Sequence, residues 1–427
     1  MGINDYDLKS IRKTNQKTMR NIPVLFGIIC FWMFSPESYS LIGTRAGLAG
    51  FWAIIVLILF SLGIMLALQV VANAREHNQA VFQDAGSFPH SIWALVLGFS
   101  ALIGSTLFAS TGILVTAGFT FNEVFYYRFP NFAFAFLLLA AIIAIQWCSP
   151  KVYLRLHAVF VLIGAVCLLF LVVYGMLTES VFVGPSWSTG NTSFVSLVPL
   201  VLVFIGFEQM FLANIRKPVS SSLMYAIVII ASLVLAGWML VSLKFVPAER
   251  LGSSTISYMT AAVQVMGQKG RLIMGMAIIA GSCGAVSGLL RISCRFVETM
   301  CGNEISFYVR MVASLLLGII IALLMSAGVA GSDKLEIYIR GSLLLWLIYS
   351  SLFVMAAAVQ LHDTKRFYSA TGLILSSAII VCALIMIILL EEREILTMFF
   401  LCSLAGSTLC VLLLKQMHRL LAFLKKR

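Results

Sequence analysis

Apolar runs long enough to cross a membrane recur along the whole chain, at approximately 22–44, 48–73, 91–118, 131–148, 156–177, 194–213, 223–246, 272–296, 308–330, 341–361, 368–390 and 395–423. A hydrocarbon core about 30 Å thick is crossed by an α-helix of about 20 residues. The runs are continuous and lack the alternation of barrel strands, so helices are the expected spanning element. Of 427 residues, 61% are hydrophobic and 11% charged. A soluble domain is about 45–50% apolar and about 25% charged. A soluble core cannot hide this much apolar surface. The chain reads as an all-α polytopic membrane protein with twelve transmembrane helices, its main partner the lipid bilayer.

Twelve spans place both ends on one side. That side carries most of the 29 lysines and arginines, among them Lys9, Arg12, Lys151, Arg155, Arg216, Lys217, Arg291, Arg295 and the tail from Lys415 to Arg427. The positive-inside rule puts it in the cytoplasm. The net charge of +12 therefore reads as orientation, and nucleic acid is not an expected partner. The short termini look bacterial, which makes the inner membrane the expected location. No cleavage pattern follows the first apolar run, so it is read as a retained span.

Nine cysteines lie mostly within spans, without metal-type spacing, and neither a disulfide framework, a metal site nor a cofactor is expected. His157 is read as a helix-end histidine in a cytoplasmic loop. No nucleophile–base pair stands out, so the chain is not read as an enzyme.

The expected organisation is a basic cytoplasmic N-terminus over 1–21, five spans over 22–177 and five more over 194–361. Two further spans cover 368–423, followed by a cytoplasmic end at 424–427. The longest outside segment is expected at about 247–271, and it is short. Interruptions in corresponding spans point to a transporter's binding site. Span 1 carries Ser35-Pro36-Glu37-Ser38 in its middle, where proline removes a backbone donor and disfavours helix before it. Span 6 carries Gly206 and Glu208. Spans 1 and 6 open two sets of five, an arrangement of five, five and two.

At span 6 the stretch "FIGFEQMFLANIRKPVSSSLMYAI" resembles the sixth-helix signature of the amino acid–polyamine–organocation (APC) transporters, with Phe204, Gly206, Glu208 and Lys217-Pro218 in register. "GSCGAVSGLLRISCRFVETMCGNEI" is similar to the family's eighth helix, through Ser282, Gly284, Ser287 and Arg295. The pattern looks most like bacterial amino acid antiporters and permeases. The resemblance implies a LeuT-like fold with a 5+5 inverted repeat plus two C-terminal helices. It also implies a substrate held between helices 1, 3, 6, 8 and 10, at the unwound middles of helices 1 and 6. Helix ends there would meet the two charges of a zwitterion.

The chain departs from the family pattern in three places. Cys30, Phe31 and Trp32 stand where the family has a Gly-x-Gly core. Leu202 stands where the arginine/agmatine branch has an aromatic gate. Gly164 stands where some proton-coupled members have a lysine.

Phe31, Trp32, Ser35, Ser105, Phe204 and Gly206 are the candidate substrate-binding residues. Packing is the competing role for the aromatics and for Ser105. Glu208 and Glu37 are the candidate gating or proton-coupling residues. A mid-membrane carboxylate costs about 2.5–3.5 kcal/mol on insertion scales, which argues for a task at Glu208. Glu37 could instead favour the start of the half-helix that follows Pro36.

The expected function is secondary active transport of an amino acid or related small amine by alternating access, as a permease or antiporter. Proton or sodium coupling, or exchange, is open, and so is a homodimer. The alternative is a transport-inactive protein of the same fold, acting as a sensor or assembly partner.

Overall fold

The computed structural model describes residues 22–77, 92–179, 194–207, 221–254, 256–301, 306–328, 333–389 and 393–425. Regular structure among them is helical throughout. The first run divides into α1 (Ile22–Cys30) and α2 (Pro36–Ala49), followed by α3 (Phe51–His77), α4 (Ile92–Val124), α5 (Asn131–Trp147) and α6 (Pro150–Leu177). A 3-10 helix covers Phe194–Phe204. Then come α7 (Ser221–Phe245), α8 (Ala248–Ser253), α9 (Ser257–Cys301), α10 (Ser306–Ser326), α11 (Asp333–Gln360), α12 (Arg366–Leu389) and α13 (Arg393–Lys425).

Nine helices among the described residues are long and apolar enough to cross a membrane singly. The first span is broken into two, and α5 and the 3-10 helix are shorter apolar helices. Alternation of the chain places exposed Trp93, Phe307, Tyr308 and Phe367 at one end of the bundle, and exposed Phe51, Trp52, Tyr126 and Tyr127 at the other. Two such aromatic groups are what the two membrane–water interfaces select, since each ring has an apolar body and, in Trp and Tyr, a polar tip.

The core of the bundle is α9, which packs along α6 and α4, while α11 packs on α4 and α12, and α1 on α6. Small residues make these approaches close, as expected where lipid offers no hydrophobic penalty and association depends on packing. A Cβ added to Gly27 of α1 would lie 2.8 Å from the Ala158 Cα of α6. Cross-helix hydrogen bonds add to the packing. Thr106 of α4 meets the Ser293 hydroxyl of α9 at 2.7 Å, and Ser293 donates back to the Leu102 carbonyl at 3.0 Å.

The segment 247–271 is helical over most of its described residues. It contains α8 and the first turns of α9, which kinks at Gly267 with φ +60°. α8 lies on α2, and a Cβ at Gly47 would fall 2.2 Å from the Gly252 nitrogen, so backbone rests on backbone. Packing against the second half of the first span holds α8 in place.

Candidate functional site

The break in the first span runs from Phe31 to Ser35. Ser35 caps α2, its hydroxyl accepting from the Ser38 amide at 3.2 Å, and Pro36 occupies the first helical turn, where its missing donor costs nothing. The Ser38 hydroxyl donates back to the Trp32 carbonyl at 2.8 Å, and the Ser35 amide donates to the same carbonyl at 3.0 Å. The bend is thus held by its own polar groups. All of Cys30, Phe31, Trp32, Met33, Phe34 and Ser35 are buried, so the break lies inside the bundle.

Opposite it, the 3-10 helix holds Pro199 in its interior and ends in a turn at Ile205–Phe207. Eleven residues is long for a 3-10 helix, whose hydrogen bonds are poorer than those of an α-helix. Phe204 is buried at its end, and Gly206 follows with φ +91°, a conformation that side chains with a Cβ rarely adopt. A Cβ on Gly206 would sit 2.7 Å from Phe31 Cε1, and one on Gly288 of α9 would sit 2.5 Å from Phe31 Cδ2. Phe31 therefore occupies a notch that two glycines create. Trp32 reaches across to donate from its indole Nε1 to the Leu202 carbonyl at 2.9 Å. Phe31 and Trp32 fill the space between the two breaks. Phe31, Trp32 and Gly206 meet there, while Ser35 lies at the end of the first break and Phe204 at the end of the 3-10 helix.

Two further expected residues stand around this centre. Ser105 of α4 is fully buried, and its hydroxyl has no hydrogen-bond partner. Glu37, in the first turn of α2, is half-buried, and its Oε1 lies 3.7 Å from where a Cβ on Gly112 of α4 would stand. Glu336 and Arg340 of α11, themselves an ion pair, lie within electrostatic reach of Glu37. Glu208 and Lys217-Pro218 lie outside the described residues.

His157 is not in a loop. It is buried within α6, where Nδ1 lies 2.8 Å from the Ser287 hydroxyl of α9 and Nε2 lies 3.2 Å from the Gly27 carbonyl of α1. A single ring thus bridges three elements just beneath the break. In the neutral ring, Nε2–H donates to Gly27 and Nδ1 accepts from Ser287. In a protonated ring both nitrogens donate, and the Ser287 hydroxyl turns to the Gly284 carbonyl at 3.0 Å. The Ser287 carbonyl also accepts from Gln146 Nε2 at 2.8 Å and from the Tyr153 hydroxyl at 3.1 Å. Proximity to basic residues made His157 look superficial. The usable signal was the Tyr153–His157 spacing of four, which sets two polar aromatics on one helix face.

Taken together, two interrupted spans meet inside the bundle through Phe31 and Trp32, with helix ends and buried hydroxyls at the first break. Such a centre can bind and release a small solute if the rings move. It contains no arrangement among the described residues that we can read as a nucleophile with its base.

No protein-family model and no curated protein sequence matches this chain. Solved structures do match. The Eremococcus coleocola manganese transporter, in complex with an aromatic bis-isothiourea substituted compound, aligns with TM-score 0.61 at 12% identity, over 95% of each chain. Its H236A mutant aligns with TM-score 0.61 at 13% identity, again over 95% of each. MhsT in complex with L-phenylalanine aligns with TM-score 0.56 at 16% identity, over 85% of this chain and 97% of that one. The broken first span, the facing interruption in the sixth run and these alignments together establish that this integral membrane protein has a LeuT-like transporter fold.

Proposed function

We propose that the protein is a secondary active transporter of an amino acid or related small amine, working by alternating access as a permease or antiporter. The observation that carries the reading is the pair of facing interruptions at Phe31–Ser35 and Ile205–Phe207, in a fold shared with solved transporters. Half-helix ends at such breaks offer N–H groups to a carboxylate and carbonyls to an ammonium. The aromatic lining suits an organic solute with an apolar part, as L-phenylalanine is for MhsT. Phe31 and Trp32 would swing aside to admit it, and Phe204 would act as a gate. Glu208, with Glu37 on the opposite half, is the proposed coupling group for a proton. The basic-end count supports cytoplasmic termini in a bacterial inner membrane, and membership of the APC superfamily rests on the motifs around Gly206 and Ser287.

Uptake and exchange in proteoliposomes test this, with labelled amino acids and amines and with manganese included because one structural neighbour transports it. Saturable flux of an amino acid or amine, abolished in Glu208→Ala, is expected. Absence of flux for every amino acid and amine overturns the reading.

One observation favours a second reading, a transport-inactive sensor or assembly partner. The space between the breaks is filled by the chain's own rings, anchored by the Trp32–Leu202 hydrogen bond. Thermal stabilisation by a ligand without flux would select it.

A further inference from the structure

At the end of the bundle that carries Trp93, Phe307 and Tyr308, three arginines gather around one carboxylate. Arg291, Arg295 and Glu298 succeed one another on α9 at spacings of four and three, which sets them on one face. Arg310 comes from the second turn of α10. Its Nε lies 3.6 Å from Glu298 Oε1, and the two side chains are only 8% and 7% exposed. Neither of these atoms has a hydrogen-bond partner. The Arg291 guanidinium lies over Tyr153 at 4.9 Å from the ring centroid, and its Nη1 is buried without a partner. Arg310 likewise stands 5.5 Å from the Phe307 ring. Arg291 and Arg310 are both electrostatic neighbours of Arg295.

One carboxylate therefore faces three cations, and two positive charges lack a counter-charge among the described residues. A guanidinium held away from water with free N–H groups is costly unless an anion completes it. The fork of an arginine matches the oxygens of a phosphate, and several forks can share one. Exposed Phe307 and Tyr308 beside Arg310 fix the depth of the cluster at the membrane–water interface, where headgroup phosphates lie. Exposed Lys151 and Arg155 on α6, on either side of Tyr153 in the chain, extend the positive field toward that surface. Basic pockets between spanning helices at this depth suit anionic headgroups.

We propose that Arg291, Arg295 and Arg310, arranged around Glu298, bind the phosphate of an anionic lipid in the adjacent leaflet. The bound lipid would neutralise the surplus charge and pin α9 to α10 at the interface. This assignment stands apart from the central site and does not depend on transport.

The test uses the full chain purified in a neutral detergent, with thermal unfolding followed as phosphatidylglycerol or phosphatidylcholine is added. Native mass spectrometry counts the lipids retained. Phosphatidylglycerol should raise the unfolding temperature well beyond phosphatidylcholine and remain bound as a discrete adduct. Half-buried Arg295→Gln should lose most of that difference. Glu298→Gln, which removes the competing carboxylate, should bind phosphatidylglycerol several-fold more tightly, whatever its effect on stability. Arg366→Gln, exposed on α12, should behave as the native chain does. Equal effects of the two lipids, or an unchanged response in Arg295→Gln, would overturn the proposal. So would a shift that inorganic phosphate reproduces in full, since the ligand would then be a soluble anion and not a lipid.

Discussion

The indole of Trp32 donates to the carbonyl of Leu202 at 2.9 Å, across the point where the first span and the sixth run are both interrupted. Leu202 also accepts from the Ile205 amide at 3.3 Å, so one carbonyl ends the 3-10 helix and receives the ring from the opposite half. A side chain on one broken element thus closes the hydrogen bonding of the other. Any opening of the centre has to break this bond or carry both elements together.

Removing the bond while keeping a ring should be mild. Trp32→Phe leaves Leu202 its local amide donor, so the loss should be that of a net hydrogen bond, about 0.5–1.5 kcal/mol. Trp32→Ala also opens a cavity and should cost about 3–5 kcal/mol. Unfolding in detergent by heat or denaturant distinguishes them. Equal costs would mean that the ring's volume, and not its N–H, holds the two breaks.

Gly206 and Phe31 should be coupled. Gly206→Ala places a Cβ 2.7 Å from a ring that Gly288 prevents from retreating, on a backbone with φ +91°. The backbone strain alone is about 1–3 kcal/mol. Phe31→Leu should relieve the steric part and not the strain, giving a coupling of about 0.5–3 kcal/mol in a double-mutant cycle. Strict additivity would show that the ring has room to move.

His157 and Ser287 should behave as one unit. His157→Ala removes the bridge between Gly27 and Ser287 and takes a donor from the Gly27 carbonyl, at about 1–3 kcal/mol, while the Ser287 hydroxyl keeps the Gly284 carbonyl. Once His157 is gone, Ser287→Ala should add little, because the hydroxyl retains only Gly284 as partner. Melting temperatures of the two single variants and the double variant decide it. Independent losses would mean that the ring packs without bridging.

Orientation is open to chemical labelling. With the nine native cysteines replaced, Tyr127→Cys at one end of the bundle should react with an impermeant maleimide on intact cells. Lys151→Cys, exposed at the other end, should react only after permeabilisation. The reverse pattern would invert the topology read from the basic residues.

Much of the architecture was legible in the residue order. Long apolar runs admit little besides helices in lipid, because an unpaired backbone group there has no water to turn to. Ser35-Pro36 marked the first break for a local reason: a proline denies one donor, and a serine before it supplies the cap. Gly206 and Glu208 marked the second in the residue order; Gly206 takes a φ of +91° there, and Glu208 lies outside the described residues. These are features of a few consecutive residues, and sequence alone carries them.

What tertiary structure alone decided is where side chains from distant runs meet. Phe31 could have faced lipid, but it lies in a notch cut by Gly206 and Gly288, each remote from it in the chain. His157 belonged by position to a basic helix start, yet it is buried between α1 and α9 because Gly27 and Ala158 let the helices touch. Within 247–271, α8 found its packing surface on α2. Hydrophobicity is satisfied equally by lipid or by a neighbouring helix, so it fixes that a run is buried and not in what. The choice of neighbour depends on small residues and hydrogen bonds matched across helices, and that matching exists only once the bundle is assembled.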